Sequence, residues 1–163
     1  MSLALLMEIR YLLMVNKQGQ TRLAKYFGYF PSTKERTALE GELIRRCLVR
    51  QERQCNFFEH SGVRVVYRRY ASLYFIVGAT SEGCNELSVL EFIHNLVETM
   101  DKYFENICEL DIMFNLEKTH FILDEMIAPN GQVLTTNRTQ VLQPLVLMDK
   151  HVVNNQGAFG GIL

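Results

Sequence analysis

A chain of 163 residues, 48% of them hydrophobic and 21% charged, has the size and balance of one globular domain that buries its own core. Its 17 basic and 18 acidic side chains leave a formal net charge of −1, which excludes a global pull toward nucleic acid or an anionic membrane. Cys47, Cys55, Cys84 and Cys108 form no Cys-x-x-Cys pair and have no histidine at ligand spacing, so they are expected as free, mostly buried thiols of a reducing compartment, with neither a zinc site nor a disulfide framework.

Leu3 to Met7 is apolar, but Glu8 and Arg10 cut the run too short for a signal-peptide core. No stretch approaches the roughly 18 apolar residues of a membrane span. Glu8 to Val15 is aromatic and aliphatic on both faces, as expected of a central strand. The polar segment Asn16-Lys17-Gln18-Gly19-Gln20 predicts a hairpin turn, with Thr21 to Phe27 returning. On that strand Arg22, Ala24 and Tyr26 share one face, and Leu23, Lys25 and Phe27 the other.

Gly28-Tyr29-Phe30-Pro31 breaks the pattern, and Ser32-x-x-Glu35 then reads as a capping box that opens a helix to about Arg50. Leu39, Leu43, Ile44, Cys47 and Leu48 form its buried stripe, and Arg36, Glu40, Arg46 and Arg50 its wet side. Cys55 to His60, the turn Ser61-Gly62 and Val63 to Tyr70 predict a second hairpin. Leu73 to Val77 is a fifth strand, followed by a loop from Gly78 to Asn85.

Beyond it the chain reads as helical. Leu90, Ile93, Val97, Met100, Phe104 and Ile107 step by three and four residues, the spacing of a core stripe. Leu110 to Ile127 is apolar nearly all round and is expected as one helix buried on most sides. Pro129-Asn130-Gly131 stops it. Thr136 to Lys150 predicts a last helix kinked at Pro144, and the Gly-rich stretch from Gln156 is expected to fray. The expected fold is an α+β layered domain: a five-stranded antiparallel sheet flanked by helices, in the order ββαβββαα plus a C-terminal helix. Its boundaries are an extension at 1–6, one domain at 7–150 and a flexible tail at 151–163.

No phosphate-binding glycine loop and no Gly-x-Ser-x-Gly elbow occurs. His94 lies beside a core stripe and His120 within the most apolar segment, the setting of packing histidines rather than of ligands or bases. Glu109 and Asp111 are two apart and do not share a helix face, and Asp124 and Glu125 read as a solvated edge. The expectation is a protein without enzymatic activity and without a cofactor or metal.

Val65-Val66-Tyr67-Arg68, four unconstrained positions, then Leu73-Tyr74-Phe75 resembles the signature of clathrin-adaptor small chains, the sigma subunits of heterotetrameric adaptor complexes. Asn16 to Lys25, Glu91 to Asn95, Tyr103 to Asp111 and Phe121 to Met126 are similar to the same family, so that the likeness runs from about Met7 to Lys150. Met14 to Arg22, Phe114 to Lys118, Thr136 to Arg138 and Pro144-Leu145 most resemble sigma subunits of the fourth adaptor complex, while Leu73-Tyr74-Phe75 is shared with the first two.

The resemblance implies a longin-like fold (shared with SNARE-type longin domains) and a place in intracellular protein transport. As partners it implies large adaptins and a medium (mu) subunit in a heterotetramer, held peripherally on the cytosolic face of trans-Golgi and endosomal membranes and coated vesicles. It also implies a pocket for cargo tails in which an acidic residue precedes two leucines. Carried over residue by residue, that pocket comprises Ala71, Leu73, Val97, Asn106, Ile107 and Ile112, with Arg22 receiving the acid. An arginine suits that task because it keeps its charge and forks onto an oxyanion. A pairing of Arg22 with a neighbouring acid, and a contact of Arg68 and Arg69 with a large subunit, stay open on the sequence. So do three other readings: a sigma subunit of the first, second or third adaptor complex, a stand-alone longin-type regulator and a small enzyme.

Overall fold

A computed structural model describes residues 7–50 and 56–159, with side chains through Asn155. Residues 1–6 and Cys55 therefore lie outside the described residues. Strands β1 (Ile9–Asn16) and β2 (Thr21–Tyr26) form the first hairpin, and helix α1 (Thr33–Val49) follows. Strands β3 (Phe57–His60), β4 (Val63–Tyr70) and β5 (Leu73–Thr80) complete one antiparallel sheet in the order β2-β1-β5-β4-β3. Helices α2 (Glu86–Phe104), α3 (Glu109–Phe114), α4 (Leu116–Met126) and α5 (Arg138–Phe159) come last.

The sheet separates two cores, as expected when alternate side chains of its central strands point to opposite faces. On one side Leu12, Met14, Val66, Phe75 and Val77 pack with Ile93, Leu96, Val97 and Met100 of α2, Ile122 and Leu123 of α4, and Val141 and Leu145 of α5. On the other, Leu13, Val15, Val65, Tyr67 and Ile76 meet Leu43 and Cys47 of α1. Helix α1 starts as its sequence dictates: Ser32 Oγ accepts from Glu35 N, and Ser32 N donates to Glu35 Oε2 at 2.7 Å.

Four sequence expectations change. Strand β5 does not end at Val77 but continues through Gly78, Ala79 and Thr80, pairing with β1 and β4. Helix α2 ends at Phe104, leaving Ile107 on a connecting loop that packs against the core. The apolar segment from Leu110 is not one helix. Asn115 (φ −126°, ψ 42°) ends α3 and opens α4. Its N–H and side-chain amide both donate to Asp111 O, at 2.9 and 3.2 Å, and its own carbonyl accepts from Thr119 N at 3.0 Å. Helix α5 runs through Pro144 and on to Phe159, beyond Lys150. Cys47 and Cys84 are buried as expected, whereas Cys108 is exposed because it precedes α3 on the surface.

Candidate functional site

The residues singled out by resemblance gather at the end of the sheet where the β1–β2 and β4–β5 turns lie side by side. Asn16, the last residue of β1, pairs across the strands with Leu73, the first of β5. Asn16 is almost fully buried, and every polar atom of its side chain is used. Its Oδ1 accepts from Gln18 N at 3.1 Å and Gln20 N at 2.8 Å, shaping the hairpin turn. Its Nδ2 donates to Gln20 Oε1 and to Glu109 Oε1, both at 2.9 Å.

Glu109 Oε1 also accepts from Arg22 Nε at 2.7 Å, while an Arg22 Nη donates to Gln20 Oε1 at 3.0 Å. The ion pair is partly covered, with side-chain exposures of 25% for Arg22 and 23% for Glu109. Donors from Asn16 and then Arg22 hold the Glu109 carboxyl below the usual carboxylate range. The first residue of α3 is thus tied to both strands of the first hairpin.

Beneath this polar cluster the apolar set is closed. Leu73, Val97 and Ile112 are 2%, 4% and 0% exposed and belong to one core, with Ile107 packed against it. Ala71 stands on the exposed β4–β5 turn with φ 51°, and Asn106 on the exposed loop before α3 with φ 77°. Ala71 lines a cavity of about 480 Å3 on the α1 side of the sheet, together with Arg50, Tyr67, Arg68, Arg69 and Tyr74. The structure therefore brings Arg22 to the start of α3 beside the Asn16–Leu73 pair, places Leu73, Val97, Ile107 and Ile112 in or against the α2-side core, and leaves Asn106 on the loop before α3 while Ala71 lines a cavity on the opposite, α1 side.

Of the signature residues, Val65, Val66, Leu73 and Phe75 are core, and Tyr67 is buried against Phe58. Arg68 is exposed with its guanidinium 5.3 Å from the Tyr70 ring centre, and Tyr74 is half-buried with the Arg69 guanidinium 6.0 Å from its own. The signature strand is thus largely a folding element. His94 is exposed and sits 3.0 Å from Glu98, and burial pulls the half-buried His120 below the ordinary histidine value. Among the described residues no three His, Cys, Asp or Glu side chains group as a metal site, and no helix is long and apolar enough to cross a membrane.

Sequence reasoning did not connect Glu109 to Arg22. It weighed that acid only against Asp111, because a partner 87 residues away leaves no local spacing to read. Asn16 was seen as a turn residue, and its second role in orienting Glu109 was missed.

The family model of the clathrin adaptor complex small chain matches residues 8–152. The chain is 58% identical to the AP-4 complex subunit sigma of Arabidopsis thaliana, over 88% of this chain and 99% of that relative. It is 51% identical to the AP-4 complex subunit sigma-1 of Homo sapiens, over 87% of this chain and 96% of that one. A chain in a structure titled "Homology model of the full-length AP-3 complex in a stretched open conformation" superposes with a TM-score of 0.67 at 23% identity, over 92% of this chain and 98% of that one, a likeness of fold. With its buried signature strand, its two-core sheet and matched relatives spanned almost end to end, the chain belongs to the clathrin adaptor complex small chain family.

Proposed function

We propose that this chain is the sigma subunit of an AP-4-type adaptor complex, a non-enzymatic component of a vesicle coat on the cytosolic face of trans-Golgi and endosomal membranes. The end-to-end likeness to AP-4 sigma subunits carries this reading. The surface supports it physically. Leu110, Met113, Phe114 and Leu116 at the α3–α4 junction are exposed, as are Val146, Leu147, Val152 and Val153 on α5. Apolar surface of that kind is what an obligate subunit leaves for a partner to cover. A large adaptin fits that role, with a second large subunit and a medium (mu) subunit completing the assembly. Tagged chain recovered under gentle conditions is expected to bring two large adaptins and a medium subunit in equal proportion. Recovery alone, or with membrane-fusion machinery, overturns the reading.

The same chain is proposed to bind cargo tails in which an acidic residue precedes two leucines. The leucines need a dry pocket, the role proposed for Ala71, Leu73, Val97, Asn106, Ile107 and Ile112. The acid needs a fixed cation, and Arg22 stands at its edge. Arg22→Glu is expected to weaken such a peptide, and unchanged affinity sinks this part of the proposal.

A further inference from the structure

The Arg22 guanidinium that would receive the ligand's acid already has a carboxylate on it. Its Nε is taken by Glu109 at 2.7 Å and one Nη by Gln20 at 3.0 Å. A carboxylate that docks on an arginine in two-pronged fashion uses adjacent N–H groups. An incoming acid therefore either takes Nε from Glu109 or shares the one guanidinium charge with it through the Nη groups.

Glu109 also opens α3, a helix of only 6 residues. The loop before it carries two successive non-glycine residues in the left-handed region, Glu105 at φ 54° and Asn106 at φ 77°. L-residues hold that conformation only when their surroundings impose it. Asn115, the break before α4, lies at the other end of α3. The helix also carries Ile112, which is 0% exposed and belongs to the same apolar core as Leu73 and Val97. One ion pair thus ties the start of this short helix to the first hairpin.

Resting on the cargo-binding reading above, we infer that Glu109 is a built-in competitor for Arg22: its carboxylate occupies the Nε edge of the guanidinium until the acid of a dileucine ligand displaces it. Displacement places two carboxylates beside one arginine, and their repulsion drives Glu109 away.

The test uses the full-length chain as purified with the subunits that accompany it. The probes are a labelled peptide with glutamate upstream of a Leu-Leu pair and its twin with glutamine in place of the glutamate. Glu109→Gln keeps an acceptor for Asn16 and removes the competing charge. Since a partly exposed ion pair is a weak tie, it is expected to raise affinity for the acidic peptide roughly three- to tenfold. Glu109→Ala is the second variant, and an unchanged melting transition in either one shows that it folds. Wild-type binding with no gain in either variant overturns the inference and leaves the site reading intact. No binding of the acidic peptide to the wild type overturns both.

Discussion

The Tyr11 ring lies directly over Gly78, its cross-strand neighbour, so that a Cβ added at Gly78 would fall 2.2 Å from the ring's Cζ. This glycine is therefore required by a neighbour and not by a turn. It lets β5 run on to Thr80 beside β1 while Tyr11 keeps its place in the α1-side core. Gly78→Ala forces the ring or the strand to shift, and overpacking of this kind costs about 1–3 kcal/mol. Chemical denaturation with an unchanged m-value is expected to show that loss, and wild-type stability would contradict the packing described.

The same glycine explains one limit of the sequence reading. Gly78 looked like the end of a strand because glycine weakens strands when nothing packs over it, and the tyrosine that does so lies far back in the chain. Elements whose cause is local were legible. The hairpin turn at Asn16 to Gln20, the capping box at Ser32 and the Ser61-Gly62 turn before Val63 to Tyr70 all followed from neighbours in sequence. The split at Asn115 was hidden because apolar residues continue on both sides of it, and only the non-helical backbone of Asn115 (φ −126°, ψ 42°) reveals the break. In the candidate site, the apolar residues and Arg22 are proposed through family likeness. The Arg22–Glu109 contact was not, since it depends on how α3 meets the first hairpin.

Ser32 caps α1 from both directions, by accepting from Glu35 N and by donating its own N–H to the Glu35 carboxylate. Ser32→Ala removes the first of these bonds. The expected cost is about 1 kcal/mol, read as a lower melting temperature with the peptide-binding properties unchanged. Ser32→Asp, which restores an acceptor at the cap, is expected to recover most of the loss. Equal stability of wild type and Ser32→Ala would show that the cap contributes nothing.

Leu110 and Phe114 are 57% and 79% exposed although they flank the fully buried Ile112 on the same short helix. Replacing both with serine removes apolar surface without opening the core. Because surface substitutions rarely move stability beyond about 0.5 kcal/mol, the double variant is expected to melt close to wild type. Its recovery of large adaptin from cells is expected to fall severalfold. Full recovery would place the large-subunit contact elsewhere on the chain.

Asp149 of α5 accepts from Lys118 Nζ of α4 and from Tyr103 OH of α2, both at 2.8 Å, and so ties three helices together. The Lys118 bond is the main cause that holds the Asp149 carboxyl below the ordinary aspartate range, with the Tyr103 hydroxyl adding to it. Tyr103 is pushed the other way, up to about 12, chiefly by burial and then by the carboxylate it donates to. A carboxyl whose value is depressed on folding stabilises the native state fully above its unfolded value, which for aspartate is about 3.9. That stability is lost as the pH falls through the folded value. The stability gap between wild type and Asp149→Asn is therefore expected to be flat from neutral pH down to about pH 5 and to close below about pH 4. Denaturation midpoints at a series of pH values measure it directly. A gap that persists undiminished at pH 3 would mean that the carboxylate's charge plays no part in holding α5 to the fold.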